Sequence, residues 1–188
     1  MEDLERRAFG ECRVDLQEDR KIRGYALVFH KPSVDLGGFR EIMLPESVDR
    51  TLREAIDVRA LVDHDTSKVL GRMKAGTLAL RKTPQGLQVE IDPPNTTAAR
   101  DILESVNRGD VSGMSFAFRV LTDAWHEEDG QPIREVVDMR ISEVSVVTFP
   151  AYPDTSVSLR ALQRFEAEHR GKHSIAWWRQ WHRTQLAR

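Results

Sequence analysis

Between residues 113 and 120 the chain alternates strictly: Met114, Phe116, Phe118 and Val120 fall on one face of an extended segment, and Gly113, Ser115, Ala117 and Arg119 on the other. The pattern predicts a half-buried strand. It sets Ser115 away from the apolar side, uncovered, between two small neighbours, in a shallow gap that a peptide carbonyl could enter. A second alternation runs through residues 139–149, placing Ile141, Glu143, Ser145 and Val147 on one face and Ser142, Val144, Val146 and Thr148 on the other. Glu143 thus falls on the less apolar face. A short apolar strand from residue 58 ends in the polar cluster Asp63-His64-Asp65. Residues 22–29 read as another strand, and 77–82 with 87–91 as a hairpin closed by Thr83-Pro84-Gln85-Gly86. Residues 125–133 contain the turn Glu128-Asp129-Gly130-Gln131. The period of 3.6 is clearest at 96–108, where Thr96 or Thr97 can cap, Ala99, Ile102, Leu103 and Val106 make the stripe, and Gly109 terminates. Residues 45–56 predict a second helix with its proline in the first turn. The elements together predict an α+β fold, mainly antiparallel β.

Composition narrows the class. A chain of 188 residues, 40% hydrophobic and 31% charged, fits one domain with a sizeable core and an added tail. No apolar run approaches a membrane span, and the opening M-E-D-L-E-R-R lacks the order of a signal peptide, so a cytoplasmic protein with no membrane partner is expected. Charge is segregated: residues 169–188 carry five Lys or Arg and no acid, while residues 1–168 hold 23 basic and 30 acidic residues, a balance of −7. The acidic body argues against a specific nucleic-acid partner. In the basic tail Trp177, Trp178 and Trp181 sit near Ile175 and Leu186, which predicts a helix docking on the body or on a second copy. A division into a domain over 1–160 and a tail over 161–188 follows.

Three residues carry candidate chemistry. Ser115 offers a nucleophile, which needs a base and a group to orient that base. His64, at a strand end, is the candidate base, and Glu143 the candidate third member. Ser112 competes with Ser115, and Asp63 and Asp65 compete with Glu143 by their nearness to His64. The plainer alternatives are a polar filler at Ser115, a solvated turn at His64, and a Glu143 paired to Arg119 or Arg140. Cys12 is the only cysteine, which excludes an internal disulfide and a cysteine-based metal site; with His30 or His64 it could form a thiol nucleophile pair, but its setting among Glu11, Arg13 and Asp15 reads as an ordinary strand. His169 and His173 are four apart without H-E-x-x-H chemistry, so no metal and no cofactor is expected.

The ordered set R-G-Y-A-L-V-F from Arg23, E-x-x-x-P-E-S-V from Glu41, V-D-H-D followed by V-L-G-R, G-D-V-S-G-M-S-F-A-F, and I-S-E-V-S-V-V-T-F-P-A-Y-P resembles the prohead (procapsid maturation) protease family of tailed bacteriophages and prophages. The likeness covers about residues 20 to 160. It implies a fold related to the herpesvirus assemblins, a β-barrel with peripheral helices, and a serine endopeptidase. Carried over by motif, the histidine falls on His64, the serine on Ser115 and the acid on Glu143, with Gly71 and Arg72 as candidate oxyanion donors. The implied partners are the major capsid protein, its scaffolding segment or a separate scaffold protein, the portal, and further copies of the chain itself. The implied place is the interior of the procapsid in the host cytoplasm, with low activity until assembly concentrates the enzyme. A catalytically silent scaffold or capsid-assembly module is the competing reading.

Overall fold

The computed structural model describes residues 4–8, 14–16, 20–149, 161–163 and 167, with backbone alone for 14–16. In chain order the strands and helices are β1 (Glu5–Ala8), β2 (Val14–Leu16), β3 (Ile22–Val28), β4 (Arg40–Met43), α1 (Asp49–Arg53), β5 (Arg59–Val62), β6 (Asp65–Arg72), β7 (Leu78–Lys82), β8 (Gly86–Ile91), α2 (Thr97–Arg108), β9 (Gly113–Glu128) and β10 (Gln131–Val147). They form two sheets. One has the order β1-β9-β10-β5-β6 with β4 also on β10, and the other the order β2-β3-β8-β7. Among the described residues these pairings do not close into a ring, so what they establish is an α+β fold made mostly of strands.

One apolar core lies between the sheets, with Ile22, Leu27, Leu87 and Ile91 from one meeting Met114, Phe116, Phe118, Val144 and Val146 from the other. Non-polar area removed from water at roughly 25 cal/mol per Å² is the main force holding such a layer together. Helix α2 caps this core as its sequence dictates. Thr96 Oγ1 accepts from the Ala99 amide at 3.3 Å, Ala99, Ile102, Leu103 and Val106 are buried, and Gly109 ends the helix at φ 83°. The helix then hands the chain to β9.

Strand β10 organises the larger sheet. On one side it pairs antiparallel with β9, through a two-residue turn at Asp129 and Gly130, both with positive φ. On the other it pairs parallel with β4 at Ile133–Val136 and with β5 at Glu143–Val146. These two parallel pairs are the exception to an otherwise antiparallel scheme. The segment predicted as one helix over 45–56 is instead a 3₁₀ turn, Pro45–Val48, followed by α1. Leu44 supplies no side-chain cap there, and Pro45 stands in the first turn, where its missing amide costs no helical hydrogen bond.

A bulge corrects the predicted facing of β10. Ile141 is opposite Phe118 and Glu143 is opposite Ala117, which leaves Ser142 as the extra residue. Ile141 therefore faces the core with Phe118, while Glu143, Ser145 and Val147 of the predicted set lie opposite Ala117, Ser115 and Gly113 and share their face. One inserted residue inverts the alternation, which an unbroken period of two cannot represent. Ser142 Oγ donates to the Ala117 carbonyl at 3.1 Å, and the Ile141 amide donates to Thr51 Oγ1 at 3.0 Å, so the groups freed by the bulge are satisfied.

The short edge strand β1 is held by buried charge. Arg7 Nε donates to Glu41 Oε1 at 2.8 Å, Arg134 Nη1 donates to both Glu5 oxygens and to Glu41 Oε2 at 3.0 Å, and Arg134 Nε donates to Asp123 at 2.7 Å. Burial alone would lower the Arg134 pKa, but the Glu41, Glu5 and Asp123 carboxylates hold it above its ordinary value. A smaller apolar cluster of Leu36, Phe39 and Trp125 receives Ala161 and Leu162. The expected tryptophan-bearing helix, with His169 and His173, and the Cys12 segment lie outside the described residues.

Candidate active site

Strands β5 and β6 are joined by the two-residue loop Asp63-His64, closed by the pair Val62 and Asp65. Both loop residues have positive φ, 46° and 60°, the backbone of a turn that favours Asn-Gly. Histidine at the second position is backbone strain of a kind that persists only where the surroundings over-determine it. Here they do. The Asp63 amide donates to the Val146 carbonyl at 2.9 Å, and its carboxylate accepts from the Thr148 amide at 2.8 Å and from Thr148 Oγ1 at 3.1 Å.

So held, the imidazole meets β10. His64 Nδ1 is hydrogen-bonded to Glu143 Oε1, and Ser145 Oγ donates to Glu143 Oε2 at 3.2 Å. Glu143 therefore lies against the imidazole, not against Arg119 or Arg140. Asp63 is committed to Thr148. Asp65 accepts from the Ser67 hydroxyl at 2.6 Å and its amide at 2.9 Å; those bonds, with Lys68 beside it, hold its carboxyl down at about 2. The other ring nitrogen, His64 Nε2, is buried and finds no hydrogen-bond partner among the described residues.

Ser115 stands opposite Ser145 on the neighbouring strand, and such facing residues have Cβ atoms about 5 Å apart. Serine, glutamate and Ser145 thus share one face of the β9–β10 pair at the end where the His64 loop folds over it. The expectation of an uncovered serine is overturned. Ser115 has no exposed surface, β1 pairs alongside with Ala8 opposite Ser115, and the hydroxyl donates to the Arg7 carbonyl at 2.9 Å. The gap does hold a peptide carbonyl, and it is the chain's own.

The remaining candidates fall apart from this group. Ser112 is exposed and precedes β9. Gly71 lies in β6, packed so tightly that a Cβ would sit 2.6 Å from the Thr77 carbonyl oxygen. Arg72 gives its guanidinium to Asp57 at 2.6 to 3.1 Å and its amide to Thr77 Oγ1 at 3.0 Å, and this pairing lowers the Asp57 pKa and raises that of Arg72. Sequence reasoning passed over Ser145, although it lies two residues from Glu143 on one strand face, and over the bond pair between Asp63 and Thr148.

Ser115 and Glu143 share one sheet face, and the imidazole of the loop above it is bonded to Glu143 through one ring nitrogen; hydroxyl, imidazole and carboxylate are the groups of serine-hydrolase chemistry. The chain belongs to the caudovirus prohead serine protease family, peptidase family S78, whose model matches residues 9–170. Among solved structures it is similar to the bacteriophage T4 capsid assembly protease gp21, at 9% identity and a TM-score of 0.48, covering 77% of this chain and 97% of that one. No curated protein matches it.

Proposed function

We propose that this prohead-protease family member is a serine endopeptidase in which Ser115 attacks the scissile carbonyl, His64 is the general base and acid, and Glu143 orients the imidazole and stabilises the imidazolium. The observation that carries this reading is the bond between His64 Nδ1 and Glu143 Oε1, with Nε2 buried and unpartnered among the described residues. A carboxylate on Nδ1 fixes the tautomer whose Nε2 lone pair can accept a hydroxyl proton. In the attack the Ser115 oxygen bonds to the carbonyl carbon while its proton passes to Nε2. Collapse of the tetrahedral intermediate expels the amine, which takes that proton, and water then repeats the sequence on the acyl-enzyme. For this to begin, the Ser115 hydroxyl must turn from the Arg7 carbonyl toward Nε2.

The proposed substrates are the scaffolding segment of the major capsid protein or a separate scaffold protein, and the chain itself, cut inside the procapsid. The portal and further copies of the chain are proposed contacts there. A second reading, a catalytically silent assembly module, is favoured by two observations: the full burial of Ser115 and the hydrogen bond its hydroxyl donates to β1. Co-expression with the cognate capsid protein, followed by intact mass, separates the two. The peptidase reading expects shortened capsid protein with wild type and Ser112→Ala, and full-length protein with Ser115→Ala, His64→Ala and Glu143→Gln. Shells that assemble with uncut protein in every case favour the silent module.

A further inference from the structure

We propose that Asp63 is the positioning residue for His64, acting through the two hydrogen bonds its carboxylate accepts from Thr148; this rests on the reading of His64 as the base. The loop that presents the imidazole would form more easily with glycine at position 64, since a non-glycine residue at positive φ costs about 1–2 kcal/mol. The chain instead places a reactive ring there. Its orientation has to be fixed by neighbours, because a misplacement of about 1 Å can cost about a hundredfold in rate.

Two anchors meet that need. Glu143 holds the ring at Nδ1, and Asp63 holds the backbone just ahead of it, through the Val146 carbonyl, the Thr148 amide and Thr148 Oγ1. Both anchors reach the same strand and its immediate continuation. The distance between the His64 backbone and the Glu143 carboxylate is thereby set by one rigid piece of chain. Asp63 is exposed. Exposed polar pairs add little to overall stability, so the Asp63 carboxylate matters for where the ring sits far more than for whether the protein folds.

The test uses the full chain as wild type, Asp63→Gly, Asp63→Asn and Thr148→Val, read by the Nδ1–H proton resonance of His64 and by the rate at which co-expressed capsid protein is shortened. Glycine removes the carboxylate while easing the backbone. Asp63→Gly is expected to melt within a few degrees of wild type, to broaden or lose the resonance, and to shorten capsid protein at least tenfold more slowly. Asparagine keeps an acceptor for the Thr148 amide and tolerates positive φ, so it should restore both to within about threefold. Thr148→Val keeps the amide bond and should fall between. A resonance unchanged in Asp63→Gly overturns the positioning role, whether or not capsid protein is cut. A resonance that depends on Asp63 in a wild-type protein that cuts nothing upholds the positioning and overturns the peptidase reading instead.

Discussion

Glu41→Gln removes the fully buried charge of a largely buried network. Glu41 has no exposed surface and accepts from Arg7 Nε at 2.8 Å and Arg134 Nη1 at 3.0 Å, while Glu5 is the only other buried acid of the group and Asp123 is partly exposed. Arg7 and Arg134 together bring two positive charges, and Glu5 and Glu41 two negative ones. With glutamine, only Glu5 and the partly exposed Asp123 remain to balance the two guanidinium groups, and the new amide nitrogen faces guanidinium donors. Removing one partner of a buried ion pair costs about 3–5 kcal/mol. A lost neutral hydrogen bond would cost only about 0.5–1.5 kcal/mol, so the charge decides. Since 1 kcal/mol shifts the Tm of a domain this size by about 2–4 °C, a drop of roughly 6–20 °C is expected in thermal unfolding by circular dichroism. Lys82→Ala breaks the exposed pair of Lys82 with Asp49 and should cost under about 1 kcal/mol. Urea unfolding that places Glu41→Gln within 1 kcal/mol of wild type would refute the claim that buried charge moors β1 beside Ser115.

Glu143→Gln should slow capsid-protein cleavage about 10³–10⁴-fold in single-turnover mass assays with the fold retained, because the amide no longer selects the tautomer or stabilises the imidazolium. Ser145→Ala takes one donor from Glu143 Oε2 and should slow the same reaction by about tenfold, equal to about 1.4 kcal/mol. Gly86→Ala would place a Cβ 2.1 Å from the Leu27 carbonyl oxygen, so β3 and β8 must separate; a loss of about 1–3 kcal/mol or more is expected in urea unfolding. Thr96→Ala should cost about 1 kcal/mol by removing the cap of α2, without changing cleavage.

Much of the fold is legible because local rules and tertiary packing agree there. Helix α2 carries its cap, stripe and terminal glycine in sequence, and the turns at 83–86 and 128–131 carry their glycines. The two alternations around Ser115 and Glu143 mark the strands that form the site. What was not legible depends on partners distant in the chain. Strands β1 and β4 are short, and Glu5, Arg7 and Glu41 read as solvent-facing charges until Arg134 meets them. The parallel pairing of β10 with β4 and β5 leaves no local signature, and the Ser142 bulge appears only when Phe118 and Ala117 are opposite. The cover over Ser115 is likewise a long-range event, joining residues 7 and 115.

Covalent labelling of the nucleophile in assembled procapsids tests the account most directly. A fluorophosphonate that phosphonylates reactive serines, mapped by peptide mass, is expected to modify Ser115 in wild type, not to modify it in His64→Ala, and to react more slowly with the free chain, where Arg7 holds the hydroxyl. Label on Ser112, or capsid protein that is shortened while Ser115 stays unmodified, would contradict the assignment of Ser115 as the nucleophile.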